Sequence, residues 1–368
     1  MKIAWICETP YQLLNFLNYA WCRVNSEDEI DVYIANQFKD SIEIQNRIKE
    51  EHLCKNIYSY LPPVNRNFFS RLYHLIVAPE VQMKKMLTNL EDISQLSYDV
   101  LFISYNTLFA RLFYLTVSSK HVYYFDDGSG SYHGDISKFS WRVLIPSLFL
   151  GRNLYKMKAE ALFVNNPPFC KNEHIKDIRA FPPLKDENDE KWESIQRIFN
   201  YTGENRYREK ALILLTQPSN ERDIRKDFTD WEIINRLRVY NEQLIVRPHP
   251  RQTELEIDKY RGSFLIDNEQ DMWELICADQ ITDEHILIGT FSTAQLNPKI
   301  LFNKEPYILF LYELYPDSIT KRKKREVQEL IKRIAEAYSD PLKIRIAKSY
   351  DEIPEFINTS LRKNKRHS

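Results

Sequence analysis

The sequence predicts an α/β protein of two doubly wound domains, each built on a mostly parallel sheet. Three observations lead there: strand-like apolar runs alternate with helix-length segments throughout, 368 residues suit two domains better than one core, and a proline pair with a charge run interrupts the alternation near the middle.

The first element is a strand, KIAWIC. Glu8, Thr9, Pro10 and Gln12 end this apolar run, and no small-residue cleavage site follows, so the segment reads as strand then helix (YQLLNFLNYAWCRV) and not as a secretion signal. IDVYIA, a helix through KDSIEIQNRIKEEH and KNIYSYLP continue the pattern, followed by a long helical region at 66–93, the strand DVLFIS, a helix at 106–118 and HVYYF. The second half repeats it with KALILLTQ, a helix near 220–238, QLIVRPHP, FLID, a helix at 269–278, HILIGT, a helix from 292 and PYILFL. The segment FCKNEHIKDIRAFPPLKDENDEKW, with prolines at 182 and 183, places the expected boundary near 183. The expected organisation is an N-terminal domain over 1–183, a second domain over 184–320, and a helical segment over 321–368 that packs back on the N-terminal domain and ends in a frayed basic tail.

Composition narrows the function classes. At 43% hydrophobic and 13% aromatic residues the chain can fill sizeable cores, which excludes wholesale disorder. Lys and Arg (51) balance Asp and Glu (52), so no global field attracts nucleic acid. Seven glycines, with no GxGxxG or GxxxxGK, argue against dinucleotide enzymes and P-loop NTPases. The longest apolar stretch, WRVLIPSLFLG at 141–151, falls short of the roughly 18 residues a spanning helix needs, so a soluble or peripheral cytoplasmic protein is expected. Cys7, Cys22, Cys54, Cys170 and Cys277 are odd in number and lack CxxC spacing, which suggests unpaired buried thiols in a reducing compartment and no zinc site.

Three motifs leave predicted strands at their C-terminal ends, where open α/β sheets bind ligands. In FDDGSGS (125–131), Asp126 and Asp127 are held side by side and Gly128 permits close backbone approach; repulsion between the acids would raise one pKa and make a better base. An ordinary Asp-Gly turn, with the acids capping backbone amides, explains the segment equally well. In RPHPRQT (247–253), Pro248 and Pro250 fix the backbone around His249, while Arg247 and Arg251 are cations suited to phosphate. In GTFSTAQL (289–296), Ser292 and Thr293 open a helix, either as an anion site or as plain N-capping.

These three motifs resemble the acidic-acidic-Gly, His-Pro and Ser-Ser/Thr motifs of bacterial sialyltransferases, most closely glycosyltransferase family 52, the lipooligosaccharide and capsule sialyltransferases. CETPYQLL is also similar to that family's first strand and helix, and the likeness runs from about residue 3 to about 310, with PHPRQT its most specific part. The resemblance implies a GT-B-type enzyme of two Rossmann-like domains facing each other across a cleft. It would invert configuration while moving sialic acid from CMP-sialic acid to a galactoside, with neither metal nor cofactor. It also implies Asp127, supported by Asp126, as the base, and His249 as the group assisting the departing phosphate. Arg247, Pro250, Ser292, Thr293 and Gly128 would lie around that phosphate.

One departure bears on the base. Family members can carry an aspartate just after a proline in the segment matching LLTQPSNERD; here Ser219 follows Pro218, so Glu221, Asp223 and Asp227 are alternative bases. Thr216 and Gln217 are expected nucleotide contacts, and Asp267 and Glu269 are expected at the ribose, although acids there also cap a helix. The expected partners are the nucleotide-sugar donor and a galactose-containing, lipid-linked glycan, with a homodimer left open. TKRKKREVQELIKRIAEAY at 320–338 has an apolar stripe with a basic start, either a solvated face or a contact with an anionic inner leaflet. The competing readings are a GT-B enzyme using another nucleotide sugar and a non-catalytic nucleotide-binding protein of glycan assembly.

Overall fold

The structure is a computed structural model that describes residues 1–23, 26–62, 75–76, 79–87, 96–104, 107–133, 144–145, 147–148, 157, 159–172, 175–186, 189–218, 224–269, 271–315 and 321–367. They form two compact units, Met1–Asn200 and Tyr201–Ser368.

The first unit holds seven parallel strands, β1 (Lys2–Cys7), β2 (Glu29–Ala35), β3 (Asn56–Tyr60), β4 (Ser97–Ile103), β5 (Ser118–Phe125), β6 (Ala161–Val164) and β7 (Asp177–Ala180), in the order β3-β2-β1-β4-β5-β6-β7. The second holds β8 (Leu212–Leu215), β9 (Leu244–Arg247), β10 (Leu265–Ile266), β11 (Ile286–Gly289), β12 (Tyr307–Phe310) and β13 (Ile344–Ile346), also parallel, in the order β10-β9-β8-β11-β12-β13. Each sheet winds outward from its first strand in one direction and then in the other. The winding reverses between β1 and β4 in one sheet and between β8 and β11 in the other, and such a reversal opens a crevice at the carboxyl ends of the strands.

The central strands are buried on both faces, which is why KIAWIC, LILL and ILIG read as continuous apolar runs and not as alternating ones. The aromatic residues concentrate in the first unit. There Trp5 stacks on Phe102 at 4.0 Å between centroids, with Phe16, Tyr19 and Phe125 around it. The second unit's core is mainly aliphatic, with Leu212, Leu214, Val246, Ile286, Ile288 and Leu309 fully or almost fully buried.

The boundary expected near 183 lies instead after Asn200. The helix Asp189–Phe199 belongs to the first unit: Arg47 donates to the Ile198 carbonyl at 2.6 Å, and Arg197 pairs with Glu51 at 2.8 Å. The proline pair is itself held there, since Asn18 Nδ2 donates to the Pro182 carbonyl at 2.7 Å. The C-terminal segment, expected to return to the N-terminal domain, is part of the second unit. Ile353, Phe356 and Ile357 of the helix Glu352–His367 join that unit's core, and Tyr240 donates to Asn358 at 3.0 Å.

The apolar stripe of the helix Lys321–Glu336 is buried at Val327, Leu330, Ile331 and Ile334, so it packs inward and is not offered to a bilayer. Among the described residues no helix is long and apolar enough to cross a membrane. Within the region expected to be helical at 66–93 the helix Pro79–Met86 is described, and most of the rest lies outside the described residues. All five cysteines are free thiols; Cys22 is exposed, contrary to the expectation that all are buried.

Candidate active site

In the first unit the site is built where β5 ends. The Asp126 amide continues the ladder by donating to the Phe163 carbonyl at 2.8 Å, and Gly128 then turns the chain with φ of 97°, a region that favours glycine. From this turn the two adjacent acids diverge. Asp126 is fully buried and its oxygens are occupied: Oδ1 accepts from the Gly128 amide at 2.8 Å, and Oδ2 accepts from the hydroxyls of Tyr132 at 2.5 Å and Tyr11 at 3.1 Å and from Asn165 Nδ2 at 3.1 Å. It is the capping acid of an Asp-Gly turn, and it anchors two helices and the end of β6.

Asp127 keeps one side-chain partner among the described hydrogen bonds, Gln12 Nε2, which donates to Oδ1 at 2.5 Å. Its amide donates to Ser131 Oγ at 2.9 Å, which fixes the backbone. Burial pushes the Asp127 carboxyl up to about 8, opposed by the Gln12 hydrogen bond and reinforced by the charges of Asp126 and Glu8. Repulsion between neighbouring acids, the cause expected from sequence, is thus secondary to desolvation. Glu8, at the end of β1, is also raised by burial. A carboxylate of this kind is a strong base once ionised, and its pKa lies close to physiological pH.

In the second unit the PHPRQT turn follows β9. His249 is half-buried; its Nδ1 accepts from the Arg251 amide at 3.1 Å, which leaves Nε2 as the protonated nitrogen of the neutral ring. Burial, and then the nearby Arg251 charge, hold its pKa below the usual value. Near neutral pH His249 is therefore an uncharged N–H donor, and an arriving phosphate would draw it toward the charged form. Gln252 fixes the turn: Oε1 accepts from the His249 amide at 2.8 Å and from the Thr216 hydroxyl, while Nε2 donates to the Gln217 carbonyl at 3.1 Å. Pro250 and Arg251 are exposed beside it.

Thr216 and Gln217 line a crevice of about 390 Å³, counted to its open mouth, at the reversal between β8 and β11. Gly289 and Thr290 form the opposite wall, with Asp230 and Tyr315 among the remaining residues. Gly289 is required there, since a Cβ would lie 2.9 Å from the Leu215 carbonyl oxygen. Asp230, not foreseen as a site residue, accepts from the Tyr315 hydroxyl at 2.5 Å and pairs with Lys259.

Ser292 caps the helix Thr293–Phe302 in a reciprocal box: its Oγ accepts from the Ala294 amide at 3.2 Å, and its own amide donates to Gln295 Oε1 at 3.2 Å. Plain N-capping is thus what Ser292 does in this structure, and Thr293 sits half-buried at the first helical position. Two other expectations are displaced. Arg247, expected at phosphate, turns inward, pairs with Asp267 at 2.7 Å, donates to the Tyr207 hydroxyl at 3.1 Å and lies 5.3 Å over the Trp273 ring. Asp267, expected at the ribose, has no exposed side-chain surface and also takes Arg206 at 2.9 Å and the Tyr207 hydroxyl at 2.5 Å. Glu269 is exposed and pairs with Arg206 at 3.0 Å. Of the alternative bases, Glu221 and Asp223 lie outside the described residues, and Asp227 falls in the helix Ile224–Leu237.

Gln12, Tyr11, Asn15 and Asn165 around the acids, and Gln252 and Asp230 in the second unit, were not picked out as site residues from sequence. One signal was available for the first group. Gln12, Asn15 and Asn18 form a polar stripe at helical spacing on an otherwise apolar helix and are all buried, a pattern that calls for specific partners.

No protein-family model matches the chain, and no curated protein matches it in sequence. Solved structures do match. The GT-B domain of a sialyltransferase from Photobacterium damselae aligns with a TM-score of 0.52 at 12% identity, over 94% of this chain and 100% of that one. The calicheamicin glycosyltransferase CalG4 aligns at 0.52 and 9%, over 98% and 89% of the two chains. A UDP-GlcNAc 2-epimerase from Methanocaldococcus jannaschii aligns at 0.50 and 12%, over 98% and 93%. At these identities the likeness is one of fold, and the fold is α/β GT-B.

Proposed function

We propose that this protein is an inverting cytoplasmic glycosyltransferase that moves sialic acid from CMP-sialic acid to a galactoside of a cell-surface glycan, with α-2,3 linkage. The observation that carries the reading is Asp127, a carboxyl raised to about 8 and held by one amide at the carboxyl end of a parallel sheet. Inverting transfer needs a base for the acceptor hydroxyl and assistance for the leaving group on the other face of the sugar. Asp127 takes the hydroxyl proton as the acceptor oxygen bonds to the anomeric carbon and the bond from that carbon to the phosphate oxygen breaks. The neutral His249 donates Nε2–H to the departing CMP phosphate, with Arg251 adjacent and the Thr293–Phe302 helix N-terminus favouring the same negative charge. Thr216 and Gln217 contact the nucleotide from the crevice.

Sialic acid as the transferred sugar rests on the PHPRQT, FDDG and Ser-Thr motifs, because the GT-B fold is shared with enzymes of UDP-sugars. The test is incubation with CMP-sialic acid and a panel of galactosides, read by mass spectrometry, with CMP and UDP titrated in parallel by calorimetry. Sialylated product, or hydrolysis of CMP-sialic acid without transfer, supports the donor. Preferential binding of UDP overturns it in favour of another nucleotide sugar, and the absence of turnover with any donor favours a non-catalytic protein.

A further inference from the structure

We infer that Gln12 is the positioning residue of Asp127, holding its Oδ1 so that Oδ2 is the oxygen that takes the acceptor proton. The inference rests on the proposed role of Asp127 as base. Gln12 is almost wholly buried in the first turn of the helix Pro10–Trp21, and each end of its amide has a partner. Oε1 accepts from the Glu8 amide at 2.6 Å, and Nε2 donates to Asp127 Oδ1 at 2.5 Å. A backbone N–H is a donor in every protonation state, so the side-chain amide cannot flip without setting N–H against N–H and carbonyl against carboxylate. The Gln12 N–H therefore always faces Oδ1. A proton on Oδ1 would collide with that N–H, so the protonated acid carries its hydrogen on Oδ2.

The same contact favours the anion, against burial and against the carboxylates facing Asp127, namely Asp126 from its own turn and Glu8 from the end of β1. Asp126 cannot replace it as base, because both of its oxygens already accept hydrogen bonds. Gln12 thus acts on the reaction through Asp127 alone. Removing its N–H while keeping its bulk leaves the carboxyl in place with a higher pKa.

The test is a carboxyl-carbon NMR titration of the full chain, with the Asp127 signal assigned as the one missing in Asp127→Asn, run beside the pH dependence of donor turnover. In Gln12→Met the Asp127 midpoint is expected to rise by about one unit, with the rate below the midpoint falling about tenfold and recovering at higher pH. The isosteric Gln12→Glu, which fits the same space, is expected to split the midpoint into two coupled steps. An unmoved midpoint in both variants, or an equal loss of rate at every pH, overturns the inference. If Asp127→Asn still transfers sugar, the proposed role of Asp127 fails and this inference with it; if that variant is inactive and the midpoint does not move, only the role of Gln12 falls.

Discussion

Asp127 of the first unit, half-buried, and Asp267 of the second, fully buried, are both carboxylates placed just after a parallel strand, yet they are different chemical objects. Asp267 is held by two guanidinium groups and a tyrosine hydroxyl, so its charge is matched on every side. Asp127 has a single neutral amide and two acidic neighbours, and its pKa climbs to about 8. One acid ties a turn, a strand end and a loop together, and the other is left with an unspent appetite for a proton. Partners, not residue type or position on the sheet, separate a structural carboxylate from a reactive one.

The sharpest way to break this contrast is Asp127→Asn. It is expected to lower the transfer rate about 10³-fold with little change in donor affinity, read by steady-state kinetics. In the wild-type protein the proposed transfer rate should climb with pH through about 8 as Asp127 ionises, and a profile flat from pH 6 to 9 would remove it as the base. Asp267→Ala attacks the other side of the comparison. It takes from the buried Arg247 its ion-pair partner, while Arg206 keeps Glu269 and Asp271, and is expected to cost about 3–5 kcal/mol of stability, measured by denaturant unfolding, whereas loss of activity in a fully stable variant would contradict the structural role.

His249→Ala should slow turnover about 10²-fold and weaken CMP binding, while unaltered calorimetric affinity and rate would detach the histidine from the phosphate. Smaller and opposite in sign is the effect of Asp127→Asn on stability. The folded pKa lies above that of the unfolded chain, so between about pH 4 and 8 the folded state holds a proton the unfolded state has released, and wild-type stability falls as pH rises. The asparagine variant lacks this penalty, so its melting temperature should exceed that of the wild type by more at pH 8 than at pH 5. Least of all, Ser292→Ala should cost about 1 kcal/mol, the loss of one cap, and a thermal melt shows whether that is the whole of its effect.

Much of this was legible beforehand. Central strands such as KIAWIC, LILL and ILIG are apolar on both faces and announce themselves, but β6 (ALFV), β7 (DIRA) and β13 (IRI) are three or four residues long, too short for any period to register. The prolines at 182 and 183 signalled a break in regular structure, yet the chain crosses to the second unit only after the helix Asp189–Phe199, whose packing on the first unit depends on residues far away in sequence. RPHPRQT correctly marked an unusual turn, while nothing local distinguished Arg247, which turns inward to Asp267, from the exposed Arg251.

By itself the sequence determined the alternation of strands and helices, the doubly wound class and the strand ends at which polar motifs cluster, because these follow from local periodicity and turn chemistry. Only the tertiary structure decided which acid of the FDDG pair is tied into the fold by several hydrogen bonds and which is held by a single side-chain amide. Gln12 meets Asp127, and Tyr11 meets Asp126, across 115 residues of chain, and such pairings are fixed by the packing of one element on another. Burial and long-range hydrogen bonds, which no local pattern encodes, give two identical neighbouring side chains their different chemistry.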